Sequence, residues 1–234
     1  MNLIALSPHY FFRERYPAGI SRSRFLRLER ERNDRVRKEI CEKLLRPYLR
    51  PDQTVLDYGC GPGFRARHVS GLVKKIYAGD ISSGVIACAR IVNSAPNLEY
   101  FTVRPAGSPP FIAGTLDLIY SFAVIQHLSN RIFQDLLNDF YRWLKPGGRA
   151  ALHIVADDRN WKTEEEWRGD LSLSGRLRYR CGVHCFGRSG REVEKMITAA
   201  GFTGVEHLQI PDLALIDDDI GSQSLFVFAK SGKI

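Results

Sequence analysis

No apolar run in this sequence is long enough to span a bilayer, so a membrane-crossing helix is not expected. The opening stretch, Met1 to Phe12, has no charged leader followed by a cleavage pattern, so no secretory signal is expected either. Cysteine is sparse and odd in number. The five residues Cys41, Cys60, Cys88, Cys181 and Cys185 do not make a disulfide framework, and a reducing cytoplasm is the expected setting. No internal repeat or low-complexity tract is present, which excludes solenoid and fibrous classes. Its 234 residues suit one domain with a substantial core.

The chain is instead rich in glycine at one place. Val55-Leu56-Asp57-Tyr58-Gly59-Cys60-Gly61-Pro62-Gly63 is an apolar run that ends in an acid and then turns through three glycines at alternate positions. The run reads as a buried strand, and the glycines as the turn at its carboxyl end, where open α/β sheets bind ligands. Nicotinamide and flavin enzymes carry G-x-G-x-x-G there, and Phe64 occupies the sixth place here, so that fingerprint is missed. Asp57 would repel a pyrophosphate, whereas it suits a cationic ligand.

From Asp52 onward strands and helices alternate. Strands are expected at 54–58, 75–79, 98–103, 116–121 and 149–155, and helices at 63–73, 82–92, 130–144 and 188–200. This pattern predicts a doubly wound, mostly parallel α/β sheet. Gly204–Ile210 and Ser224–Lys230 are two further β-type runs joined by an acidic loop, Asp217 to Asp219, and should pair antiparallel. Before the sheet, a helix is expected from Ser21 to Arg46, ahead of Pro47, with Leu28, Val36, Ile40 and Leu44 in one apolar column that Arg32 interrupts. Between Arg13 and Arg50 stand eleven Arg and two Lys against five Glu and one Asp, which is seven of the chain's eight excess positive charges. Such a segment suits an anionic substrate, nucleic acid or a membrane surface, or is a solvated helix laced with Glu/Arg pairs.

The D-x-G-x-G run, Asp57 to Gly61, resembles the first motif of the class I S-adenosylmethionine-dependent methyltransferases. Leu144-Lys145-Pro146-Gly147-Gly148 and Ala199-Ala200-Gly201-Phe202 are similar to two further markers of that family, so the likeness covers about Asp52 to Lys230. It implies a Rossmann-like seven-stranded sheet with one reversed strand near the carboxyl end. It implies S-adenosyl-L-methionine as cofactor and S-adenosyl-L-homocysteine as product, held by Asp57, Gly59, Cys60, Gly61, Gly63, Asp80, Ile81, Ser108, Ser121 and Phe122. Asp80 ends the second strand, seventeen residues after Gly63, where a carboxylate accepts ribose hydroxyls, although Ser82 or the acid itself could instead cap the next helix. The acid that relatives carry after the third strand is missing from Val103–Ser108. Ser108-Pro109-Pro110-Phe111 looks like the tetrad of amino-methyltransferases, but it precedes the fourth strand instead of ending it.

Phe122 to Leu128 resembles the V-L-x-H-L run of the small-molecule group that includes quinone-biosynthesis enzymes. Metal-binding relatives carry E-x-x-E-H, and Ala123 and Gln126 replace both acids here, so no metal is expected. His127 is then a candidate base, or a cap of the following helix. Residues 156–187 are expected to form a substrate lid, with Trp161 and Tyr179 joining Arg32 as substrate contacts, and residues 1–50 a second, helical lid. Cys181, His184 and Cys185 have the look of zinc ligands but lack a second pair. The reading is methyl transfer to a small, polar or anionic molecule. An RNA methyltransferase using the basic helix, and a cofactor-binding protein without turnover, stand as rivals.

Overall fold

The computed structural model describes residues 21, 24, 27–28, 31, 34, 37–104, 108–158, 160–181, 184–210 and 223–232. Arg32, Val36 and the acidic loop at 217–219 lie outside them. The fold is an α/β, Rossmann-like, seven-stranded sheet, parallel except for one strand. The chain forms two compact units, residues 1–112 and 113–234.

In the first unit, β1 (Thr54–Tyr58), β2 (Lys75–Asp80) and β3 (Leu98–Thr102) run parallel in the order β3-β2-β1. They are joined by α1 (Phe64–Ser70) and α2 (Ser83–Val92). Val55, Leu56, Ile76 and Ala78 bury the strands, while Ala66, Val69, Val85, Ile86 and Ala89 bury one stripe of each helix. That is the pattern of a parallel sheet covered by crossover helices. Ser82 caps α2 by accepting the Val85 amide at 3.3 Å.

The helical backbone before β1 departs from expectation. It passes from α-helix at residues 37–40 into a π turn, Cys41–Leu45, and then a 3-10 turn, Arg46–Tyr48. Pro47 therefore does not end the helix; it sits at the start of the 3-10 turn, where its missing N–H costs nothing. The wide π turn inserts a residue into the register. The buried positions become Ile40, Cys41, Leu45 and Leu49; Leu44 is half-buried, and Leu28 stands 46% exposed.

In the second unit the order is β4-β5-β7-β6. These strands are β4 (Leu116–Phe122), β5 (Leu144–Val155), β6 (Phe202–Gln209) and β7 (Gln223–Lys230). β7 is antiparallel to both β5 and β6, so it is the one reversed strand. α3 (Asn130–Trp143) buries Phe133, Leu136, Leu137 and Phe140, spaced at one helical face. Strand β5 begins at Leu144, five residues earlier than expected. Its pairing with β4 jumps from Leu144 to Arg149, so Lys145–Gly148 is bulged out, with Gly147 at φ 77°. The expected lid holds two helices, α4 (Glu164–Gly169) and α5 (Leu173–Cys181). α6 (Gly190–Ala199) follows, started by a capping box between Ser189 and Glu192.

Candidate active site

Two clusters at the carboxyl ends of strands gather the candidate residues, one in each unit. In the first, Gly59, Gly61 and Gly63 all adopt positive φ, at 75°, 55° and 79°. Few residues other than glycine accept three such turns in succession. The amides of Gly59 and Cys60 both donate to the Gly79 carbonyl, at 2.7 and 3.0 Å, and fasten the turn to the end of β2. Asp80 fastens it again: Oδ2 accepts the Gly61 amide at 3.0 Å and Oδ1 accepts the Ser82 amide at 2.9 Å. From beneath, Asn93 donates to the Pro62 carbonyl at 2.7 Å, and the Tyr100 hydroxyl donates to the Asn93 carbonyl at 2.9 Å. A methyl group on Gly63 would sit 2.1 Å from the Tyr100 oxygen, whereas one on Gly61 would meet nothing within 4 Å. The turn is packed on its inner side at Gly63 and open at Gly61.

Burial raises the Asp80 carboxyl above its ordinary range, against the two amide bonds that lower it. Asp57 lies fully buried in β1, and the Cys60 thiol is pushed up by burial and then by Asp57 and Asp80. Ile81, next to Asp80, is 55% exposed, an apolar side chain held open at the end of a strand. Ser108 is exposed as well.

In the second unit, β4 ends in Ser121 and Phe122, both buried. Phe122 stacks on His153, with ring centroids 5.3 Å apart. The Ser121 hydroxyl has no hydrogen-bond partner among the described residues. Ala123 then takes φ 57°, a left-handed turn that an alanine adopts only under constraint. It leads into a 3-10 turn, Ile125–His127.

His127 is exposed, and its Nδ1 lies 3.1 Å from the His184 carbonyl and 3.5 Å from Cys185 Sγ. It does not cap α3; Ser129 does, accepting the Ile132 amide at 3.4 Å. The His184 ring stacks on Tyr179 at 4.8 Å and meets Phe186 edge-on at 4.6 Å. Trp167 donates its indole N–H to the Cys185 carbonyl at 2.8 Å. Burial lowers the His184 pKa against the bond to the Arg178 carbonyl, which raises it, and burial raises the Cys185 thiol to about 11.

Tyr179 thus belongs to the wall beside His127. Trp161 is half-buried further along the segment, its carbonyl within 2.4 Å of where a methyl on Gly187 would stand. Among the described residues no three His, Cys, Asp or Glu side chains could hold a metal ion, and no helix is long and apolar enough to cross a membrane.

Two residues of this unit lie outside the set expected from the sequence. Asp157, at φ 60° after β5, accepts the Gly190 amide on both carboxylate oxygens at 3.1 Å, and so holds the start of α6. Arg188, 5% exposed, sends its guanidinium back under the His127 turn. Asp157 stands in a turn-forming Asp-Asp-Arg-Asn run, which announces a turn but not its partner.

A family profile described as methyltransferase domain matches residues 28–207. A malonyl-[acyl-carrier protein] O-methyltransferase of Enterobacter lignolyticus is 30% identical over 114 residues, which cover 49% of this chain and 43% of that protein. Phosphoethanolamine N-methyltransferase 1 of Triticum aestivum is 31% identical over 166 residues, covering 63% of this chain and 31% of that one. The chain thus spans less than half the length of these two relatives. Among solved structures, Haemonchus contortus phosphoethanolamine N-methyltransferase 2, in complex with phosphomonomethylethanolamine and S-adenosylhomocysteine, superposes with a TM-score of 0.60. The identity is 17%, over 93% of this chain and 62% of that one.

Proposed function

The chain belongs to the class I S-adenosylmethionine-dependent methyltransferases, and on that premise we propose that it methylates an oxygen, nitrogen or carbon nucleophile of a small polar or anionic molecule. Residues of the first unit fit the cofactor. The main chain at Gly61 is open, Asp80 keeps lone pairs beyond the two amides it accepts, and Ile81 offers an apolar surface beside it. Gly59, Gly61, Asp80 and Ile81 would hold the nucleoside portion, with the buried Asp57 carboxyl at the end of β1 beside them. When bound, S-adenosylmethionine supplies an electrophilic methyl group on a sulfonium.

The protein's own contribution is alignment and proton management. Reactants held in line gain several kcal/mol, roughly 7–11 in the best intramolecular cases. His127 takes the proton of the acceptor. Its Nδ1 faces a carbonyl, which can only accept, so Nδ1 carries the hydrogen and Nε2 is the free base. A weak Nδ1–H contact with Cys185 sulfur fits the same tautomer. Tyr179 and Trp167 pack on the ring of His184, whose carbonyl faces Nδ1.

The exposed His127 ring, with Nδ1 3.1 Å from the His184 carbonyl, is the observation that carries this reading. Incubation of the protein with methyl-labelled cofactor and a size-fractionated cell extract tests it. Label in the small-molecule fraction supports it; label in RNA would favour the rival use of the basic segment 1–50, and no label anywhere would favour binding without turnover. We further propose that segment 1–50 closes over the polar substrate, with Arg32 as an anion contact, on the strength of its positive charge.

A further inference from the structure

We propose that Arg188 is a positioning residue for His127, which selects the tautomer of its ring. The proposal rests on the reading of His127 as the base and adds what makes it one. The Arg188 guanidinium reaches both flanks of the His127 turn. Nη1 donates to the Ile125 carbonyl at 3.3 Å, and Nη2 donates to the Leu128 carbonyl. Nε donates to the Asn130 side-chain oxygen at 2.7 Å, at the first residue of α3. The cation also lies 5.5 Å from the Phe133 ring centroid and 5.7 Å from that of Phe186.

These contacts fix more than a loop. The same short segment supplies the two atoms that face His127 Nδ1, the His184 carbonyl and Cys185 sulfur, and the Phe186 amide donates to the Gln126 carbonyl at 2.7 Å. Segment 184–188 therefore runs alongside residues 125–130, joined at 127, 126 and then at 125, 128 and 130 by Arg188. With one edge of the turn anchored, the imidazole meets the His184 carbonyl. If the anchor is lost, the turn can shift by a few tenths of an ångström, and a neutral histidine in water reverts to a mixture of tautomers.

Arginine suits this place because one rigid fork reaches three acceptors at once; lysine, with a single nitrogen, cannot. Burial of the cation is offset by three hydrogen bonds and two aromatic faces. Burial lowers its pKa to about 10, so it keeps its charge at neutral pH.

The test is ring tautomer, read by nitrogen-15 NMR of full-length protein labelled at histidine, at a pH where the ring is neutral. His127 is assigned by comparison with His127→Asn. In the native protein the His127 signal should be that of the Nδ1–H form. In Arg188→Gln it should move to a majority of Nε2–H, and Arg188→Lys should fall between. An unchanged Nδ1–H signal in Arg188→Gln that still binds S-adenosylhomocysteine and melts cooperatively would overturn the proposal. Should Arg188→Gln not fold, Asn130→Ala, which removes only the Nε partner, gives the second reading: a partial shift supports the proposal and no shift overturns it. Full turnover by His127→Asn would overturn the base assignment alone, because the tautomer signal is measured without substrate.

Discussion

Asp80 accepts the Gly61 amide at 3.0 Å across nineteen residues of sequence, so the acid at the end of β2 shapes the glycine turn after β1. Asp80→Ala should therefore lose a ligand contact and also loosen Gly61. Removing one charge-assisted bond costs about 1.5–3 kcal/mol, so affinity for S-adenosylmethionine should fall about ten- to a hundredfold. Titration calorimetry measures it, and an unchanged Kd would remove Asp80 from the ribose role.

Gly63→Ala and Gly61→Ala should separate packing from binding. Both force a left-handed alanine, at about 1–2 kcal/mol. Only at Gly63 does the methyl also strike the Tyr100 hydroxyl, so Gly63→Ala should lower Tm further. Gly61→Ala adds a methyl to open space where a ligand would approach, and should weaken cofactor binding more than stability. Equal effects in calorimetry and melting would contradict the open-turn reading.

His127→Ala should slow methyl transfer by roughly 10²–10⁴, the usual worth of a general base, with the cofactor Kd unchanged. Activity should persist in EDTA. A requirement for added Mg²⁺ would count against the metal-free part.

His184 gives a pH dependence. Its folded pKa lies below the unfolded value of 6.5, because burial disfavours the cation. The groups facing it are His127, the Arg178 carbonyl and guanidinium, and the rings of Tyr179, Trp167 and Phe186. The stability it contributes is complete above pH 6.5 and declines as pH falls through the lowered folded value. Melting temperatures should drop over that window in the native protein, and less so in His184→Phe.

If segment 1–50 is a lid, saturating cofactor should slow tryptic cleavage between Arg13 and Arg37. Identical digestion patterns with and without cofactor would leave the segment as a solvated helix.

The sheet was readable from sequence where a strand is a short apolar run closed by turn residues, as Val55–Tyr58 and Leu116–Phe122 show. The glycine turn was equally plain, since positive φ at three alternate positions needs glycine. The π turn at Cys41–Leu45 was not, because its apolar residues fit an α-helical column equally well, and only packing decides between Leu44 and Leu45. The candidate cofactor residues next to Gly59 and Asp80 follow the chain locally. The environment of His127 does not: His184, Cys185 and Arg188 return to it from nearly sixty residues away, and no local periodicity encodes that return.

Ala123 at φ 57° gives the fold a reserve that selection for heat resistance could draw on. Glycine there would release up to about 1–2 kcal/mol of backbone strain. It would also give a hinge to the peptide that carries the turn of His127. A library screened on melting temperature alone should enrich Ala123→Gly early, and the same clones should lose turnover. Thermal tolerance and catalytic speed would then be traded at one backbone position, four residues before His127.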